Sequence, residues 1–313
     1  MCRRILPALR EAGEVPAVLW GRDGARARAV ADHYGVSTGT SDVDRLVAGV
    51  DAVYVATPVA AHLPLALAAA RAGRHVLVEK PLRGALPDDP APLVALTRRP
   101  APGQPRVTVG VAYYRRLDPA LQALRERLRA ECVERVTVHF RQQFEPTAND
   151  PKRWRTDAAV AGGGVLADAG SHRLDLLCWL LGEPAALSAR LDRYTPGGAE
   201  QRAQVRLHWP AGAQADCRTE WASGAAEDTF SVSYEGGEVL VSPLDSGVLS
   251  WRTRRGEWKE RFPRRRNPQT ALVADFARAV TDGRPPACPL DAAILVDALL
   301  TAASSPRGQL PPD

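Results

Sequence analysis

Residues 51–82 read DAVYVATPVAAHLPLALAAARAGRHVLVEKPL, and the order of patterns inside this stretch decides the fold. Asp51 to Ala56 is a short apolar run rich in β-branched and aromatic residues, which reads as a buried strand. Ala60 to Ala72 is alanine-rich and helical, and it stops at Gly73, where a glycine relieves the left-handed turn that ends a helix. His75 to Glu79 is a second buried strand. Two buried strands joined by a helical crossover form a βαβ unit, and such units build parallel sheets. Reading outward toward the N-terminus, Ala25 to Tyr34 is another helix closed by a glycine, Gly35. Pro16 to Trp20 is a short strand, and Ile5 to Glu11 the end of a helix. Toward the C-terminus, Arg106 to Val111 is a further strand after a proline-rich loop near Pro100. Residues 1–112 are therefore expected to form a doubly wound, nucleotide-binding parallel sheet.

Residues 113–313 follow a different rule. A helix near Pro119 to Ala130 leads into a strand, Val133 to Phe144. Val165 to Leu181 is strongly helical and ends at Gly182. From Ala185 to Phe262, strand-like runs with partial alternation are separated by Gly, Pro and Asp turns, the pattern of a mostly antiparallel sheet with one face against helices. Leu272 to Val280 and Ala292 to Ala303 are closing helices. The whole is α/β followed by α+β, and 313 residues suit two domains.

Composition narrows the function classes. The hydrophobic fraction of 45% and charged fraction of 25% are those of a soluble globular chain. No apolar run approaches the roughly 18 residues of a membrane span. The first residues lack the apolar stretch of a secretory signal. Five cysteines, Cys2, Cys132, Cys178, Cys217 and Cys288, are scattered without a C-x-x-C pair, which suggests reduced thiols and a cytoplasmic protein. The net charge of +5 comes with only three lysines, Lys80, Lys152 and Lys259, and reads as GC-rich codon bias. The basic cluster Arg252 to Arg266 is interrupted by Glu257, Glu260 and Pro263, so a solvated face is the better reading there than a nucleic-acid site.

Three constellations carry chemistry. Thr57-Pro58 ends one parallel strand and Glu79-Lys80-Pro81 the next, at the carboxyl ends where open α/β sheets bind ligands. From position alone, Lys80 is either a cation aimed into that crevice or an ordinary strand-end lysine. On the helix from Val165, Asp168, His172 and Asp175 share one stripe, while Leu166, Leu174, Leu177 and Leu181 form another that suits a core. That polar stripe is either a solvated face or a site. Gly162-Gly163-Gly164 before it, and its lack of Glu and Lys, favour a site. His172 has the ordinary pKa to exchange a proton with a hydroxyl near neutrality, and Asp168 is placed to hold its ring. One histidine with two carboxylates is a weak metal set, and no metal is expected. Lys152-Arg153-Trp154-Arg155 and Tyr113-Tyr114-Arg115-Arg116 each read as either a sugar- or dinucleotide-lining segment or a surface loop.

Taken together these segments resemble the glucose–fructose oxidoreductase, inositol dehydrogenase and rhizopine-catabolism family (Gfo/Idh/MocA). The matching pieces are Ala56-Thr57-Pro58 with His62, residues 72–82, residues 111–119, Trp154-Arg155, residues 162–175, Trp179 to Gly182, and Val273 to Val280. The resemblance implies a Rossmann domain, an open-faced antiparallel sheet, and homodimers or homotetramers formed through that sheet. It implies hydride transfer between a nicotinamide and a carbinol or ketone carbon of a sugar, deoxysugar or cyclitol. Within it Lys80, Asp168 and His172 are catalytic. Lys80 lowers the pKa of the reacting hydroxyl or stabilises its oxyanion, and His172 moves the proton. Arg22, Thr57, Pro58, His62, Glu79, Lys80, Pro81, Trp154 and Arg155 are the cofactor-binding positions. Tyr113 and Arg115 join Lys80, Asp168 and His172 against the substrate. Arg22 suits a 2′-phosphate, which points to NADP ahead of NAD.

The sequence departs from that family in one large respect. The family opens with a strand and a G-x-G-x-x-G loop, and this chain starts within the helix that should follow them. The missing strand would lie between two partners in the sheet, and its loop would cradle the cofactor phosphates. Met1 is the only methionine, and a misassigned start is expected ahead of a truncated relative. Val59 is a smaller departure, standing where many relatives carry asparagine. The rival to an enzyme is a non-catalytic binding or regulatory protein that has lost tight cofactor binding.

Overall fold

In the computed structural model, which describes residues 2–98 and 106–305, the N-terminal part alternates short helices and strands. They run α1 (Cys2–Glu11), β1 (Val18–Trp20), α2 (Gly24–Tyr34), β2 (Thr38–Thr40) and α3 (Val43–Val47). β3 (Ala52–Val55), α4 (His62–Arg71), β4 (His75–Val78), α5 (Ala91–Arg98) and β5 (Val109–Val111) follow. All pairings here are parallel, as the βαβ reading requires. The proline-rich loop near Pro100 lies outside the described residues, as does Met1. β2, α3 and α5 escaped the sequence reading, each being eight residues or fewer.

These strands do not form one sheet. They fall into two ladders, β1–β2 and β3–β4–β5. Among the described residues, β1 and β3 each have a strand partner on one side only. Within the second ladder Val55 lies opposite Val78, so the segments that follow these strands, Thr57-Pro58 and Lys80-Pro81, emerge side by side.

The second part supplies a broad wall. It comprises α6 (Pro119–Leu128), β6 (Val133–Gln142), the single-turn α7 (Ala158–Ala161), and α8 (Ser171–Leu181), preceded by a π-helical turn over Leu166–Gly170. Then come β7 (Ala186–Tyr194), β8 (Glu200–His208), β9 (Gln214–Trp221), β10 (Glu227–Tyr234), β11 (Gly237–Val241), β12 (Val248–Thr253) and β13 (Gly256–Arg261). α9 (Pro268–Asp282) and α10 (Leu290–Ser304) close the described chain. The eight strands are ordered β13-β12-β11-β10-β6-β9-β8-β7, all antiparallel except β6 beside β9.

Alternation decides the two faces of this sheet. Val136, Val138, Ala203, Val205, Leu207, Cys217, Phe230 and Val232 are buried on the helix side. The other face carries ion pairs, including Arg141–Glu220 at 2.5 Å, Arg218–Asp216 at 3.1 Å and Arg202–Glu220 at 3.5 Å. α8 sits on the apolar face with Leu174, Leu176 and Leu177 fully buried, each contributing roughly 1.5–3 kcal/mol of burial. One continuous core runs from Ala8 through the second ladder and the large sheet to Ala303. α8 and the ends of β3 and β4 are thus fixed relative to one another by shared packing.

Candidate functional site

Lys80 follows β4 and is joined to Pro81 by a cis peptide bond. Its ammonium donates to the Asp168 backbone carbonyl, and to the Asp168 carboxylate at 3.2 Å. Arg155 donates to the other Asp168 oxygen at 3.0 Å. Burial pushes the Asp168 carboxyl up, but the Lys80 ammonium and the Arg155 guanidinium outweigh it and hold its pKa below the usual carboxylate value. Two cations therefore share one ionised carboxylate. The residues around this point include Val59, Pro81, Trp154, Ala161, Gly164 and Ala167, which line a small cleft with Lys80, Arg155 and Asp168.

His172 lies one turn further along, buried, with Tyr114 edge-on at 5.0 Å and Tyr113 at 5.8 Å between ring centroids. Neither of its ring nitrogens has a hydrogen-bond partner among the described residues. Burial lowers its pKa well below the ordinary value, and the nearby cations Lys80, Arg115 and Arg173 lower it further. The expectation of an ordinary histidine pKa is corrected here: this imidazole is neutral at pH 7.

Two further expectations change. Asp168 does not hold the His172 ring, because its carboxylate is occupied by Lys80 and Arg155. Nor does Asp175 share the site. The π-helical turn at Leu166–Gly170 shifts the register between Asp168 and α8, and Asp175 is buried against Arg116, with oxygens 2.6–3.1 Å from the guanidinium. The pair locks the Tyr114–Leu117 turn to α8.

The expected cofactor positions divide by exposure. His62 is buried with its nitrogens each 2.9 Å from a carbonyl, those of Pro81 and Thr57. It ties the two strand ends together rather than facing a ligand. Glu79 is likewise buried and accepts from the Tyr54 hydroxyl at 2.9 Å. Lys80, Pro81, Trp154 and Arg155 line the cleft, while Thr57 and Pro58 do not line it and directly precede Val59, which does. Arg22 is exposed in the turn after β1. Tyr113 is packed beneath His172 at 1% exposure, while its neighbour Tyr114 is half-buried against the same ring.

Residues that no motif announced hold the site's framework. Glu200, the first residue of β8, is buried and accepts from the backbone N–H groups of Gly164 at 2.7 Å and Leu166 at 2.9 Å. It caps the start of the π-helical turn from another element. Gly164 has to be glycine, since a Cβ there would lie 2.0 Å from the Glu200 carbonyl oxygen. Asp297 of α10 is buried and accepts from Arg83 N–H at 2.9 Å and Gly84 N–H at 3.1 Å, anchoring the loop just after Lys80. Asp228 of β10 pairs with buried Arg173 at 2.5 Å. Sequence alone gives a signal only for Arg173, which directly follows His172.

Comparison with known proteins fits this arrangement. The family model described as "Oxidoreductase family, NAD-binding Rossmann fold" matches residues 3–97, and "GFO/IDH/MocA C-terminal domain" matches residues 122–240. The chain belongs to the GFO/IDH/MocA family. It is 30% identical over 192 residues to levoglucosan dehydrogenase of Pseudarthrobacter phenanthrenivorans, covering 58% of this chain and 47% of that protein. This match thus spans about half of the relative's length. 1,5-Anhydro-D-fructose reductase of Ensifer adhaerens is 26% identical over 295 residues, 90% of this chain and 86% of its own. The oxidoreductase domain protein of Kribbella flavida shares the fold with a TM-score of 0.83 at 24% identity, covering 96% of this chain and 92% of its own. Membership in the GFO/IDH/MocA family accounts for the parallel ladders joined to one large open sheet.

Proposed function

We propose that this chain is an NAD(P)-dependent oxidoreductase acting on a CH–OH or ketone carbon of a sugar, deoxysugar or cyclitol. The observation that carries this reading is one juxtaposition. At the carboxyl end of a parallel strand, a lysine ammonium held by Asp168 lies beside a buried, neutral imidazole. A fixed cation stabilises oxygen as it gains negative charge, and a neutral imidazole accepts the proton that oxygen gives up.

The residues around the cleft fit the nicotinamide end of the cofactor. Thr57 Oγ1 and Arg155 Nε are buried without partners, and Trp154 adds an aromatic surface. The bound nicotinamide would supply hydride acceptance or donation, and the chain would supply orientation, charge and the proton's destination. In the oxidising direction Lys80 lowers the pKa of the substrate hydroxyl, and His172 takes its proton at a ring nitrogen. Arg155 helps keep Asp168 ionised, and Asp168 holds Lys80 in place. Arg22 after β1 suits the 2′-phosphate of NADP. No described parallel strand is followed by a G-x-G-x-x-G loop, so the described residues supply the nicotinamide end and the ribose position rather than the phosphate cradle. Copies of the chain would pair through the charged face of the large sheet. The non-catalytic alternative has no comparable observation in its favour.

The test has two parts. Titration with NADPH and NADH should raise the thermal midpoint, and no shift at millimolar cofactor would remove a cofactor-dependent role for this chain. Cofactor absorbance should then report turnover on a panel of sugars and inositols. Lys80→Ala and His172→Ala should each abolish most of it without unfolding the protein.

A further inference from the structure

Arg115 is a guanidinium without a hydrogen-bond partner among the described residues. Its side chain is 11% exposed, its Nε is buried without a partner, and it donates no hydrogen bond to any described residue. The nearest carboxylate is Asp228, whose oxygen lies 4.0 Å away. That carboxylate is already committed to Arg173 at 2.5 Å, and the Arg173 side chain is 2% exposed. Two buried cations therefore share one carboxylate here, and Arg115 is the surplus one. An arginine carries five donors in a planar fork, and buried polar groups are hydrogen-bonded in the great majority of cases. Leaving a charged one unsatisfied is costly.

The position of Arg115 says what would satisfy it. It follows Tyr114, whose ring contacts both the guanidinium, at 5.8 Å, and the His172 ring, at 5.0 Å. Asp228 belongs to β10 of the large sheet, so the surplus charge is on the sheet side of His172. Lys80 follows one of the strand ends, where a dinucleotide binds in a parallel sheet. Lys80 and Arg155 share Asp168 there in the same two-to-one ratio, and Glu79 beside Lys80 is turned to Tyr54.

We infer that the substrate is an anionic sugar, carrying a carboxylate or a phosphate that docks on Arg115 in a bidentate contact and holds the reacting carbon beside His172 and Lys80. This rests on the oxidoreductase reading for the reaction and on Arg115 alone for the charge. A planar guanidinium fits either anion. It would turn an unsatisfied cation into a selector for acids over their neutral counterparts.

Calorimetric titration of the chain with D-glucuronate, D-glucose 6-phosphate and D-glucose separates the possibilities. One of the acids should bind roughly 10- to 100-fold more tightly than glucose, and which one does so identifies the anion. Arg115→Gln should reduce that acid to the affinity of glucose. Arg115→Lys, which keeps the charge and loses the fork, should fall between. Because Arg115 donates no hydrogen bond to any described residue and its ion pair with Asp228 is long, the thermal midpoints of both variants should stay near that of the parent. Equal affinity for acid and neutral sugar, a preference that survives Arg115→Gln, or no measurable binding of either acid would each overturn the inference. Cofactor absorbance on the same samples judges the reaction separately. Acids that bind through Arg115 without hydride transfer would leave the anion site standing and remove the oxidoreductase reading.

Discussion

In the proposed reaction Lys80 and His172 would face the same substrate oxygen with opposite electrostatic demands. The ammonium must be held in place and the imidazole must stay neutral, and the surroundings do both. Asp168, kept ionised by Arg155 as well as Lys80, anchors the cation, while burial and three neighbouring cations keep the proton off His172. Lys80→Ala should reduce kcat/KM by about 10²–10³-fold. The thermal midpoint should move little, because Asp168 keeps its Arg155 partner. The pH dependence follows from the sign of the His172 shift. A lowered pKa means that the base form persists as pH falls through 6.5, the ordinary histidine value. The acidic limb of kcat/KM for oxidation should therefore lie below pH 6.5, and His172→Asn should remove it. A limb at pH 6.5 or above would show that the His172 pKa is not lowered. At this scale the sequence was informative about identity and silent about environment. Lys80, Asp168 and His172 stand out by motif, but that Asp168 serves Lys80 rather than His172 depends on a π-helical turn that no periodicity announces.

The elements that carry these residues are held by carboxylates from distant strands and helices. Glu200 satisfies two N–H groups at the start of the π-helical turn, and Glu200→Ala would strand both. Each unsatisfied buried donor costs roughly 1–3 kcal/mol. Denaturant unfolding should register that loss, and turnover should fall with it, because Asp168 is carried on the turn. Asp297 clamps the loop after Lys80, and burial pushes its pKa up to about 7 from 3.8. Arg83 is the cation facing it, and Tyr113 is its other titratable neighbour. Because the folded pKa is raised, the folded chain holds the extra proton between pH 3.8 and about 7. That contribution to stability is present at the acidic end and lost as pH rises across the window, with a slope of up to about 1.4 kcal/mol per pH unit. The unfolding free energy of the parent minus that of Asp297→Asn should fall over this range and be flat above it. A difference that stays flat across this window would mean that the two backbone N–H groups keep Asp297 ionised throughout. Elements such as α4, β4 and α8 were legible because their own residues dictate them. Their clamps were not, since Glu200 lies 34 or 36 residues, and Asp297 213 or 214 residues, from the groups they hold.

At the scale of the whole molecule, the charged face of the large sheet poses a different question from its apolar face. Arg141, Arg202, Arg206 and Arg218 are interleaved with Asp192, Asp216 and Glu220 across β6 to β9. Half-exposed pairs of this kind are worth only about 0–1 kcal/mol each, so they do little for the stability of one chain. Their arrangement suits burial against a second copy, because each carboxylate already has a cation beside it and little uncompensated charge would enter the interface. A symmetric dimer would then bring the same face to itself. Light scattering should show a dimer or tetramer at micromolar concentration. Reversing two charges at the centre, Asp216→Arg with Glu220→Arg, would place each beside cations it now lacks a partner for. The assembly should dissociate to monomers while the thermal midpoint falls only slightly. Salt should weaken the parent assembly less than it would weaken loose surface pairs, since buried pairs are screened less. A parent chain that stays monomeric throughout would remove the charged face as a pairing surface and leave its ion pairs as ordinary solvated ones.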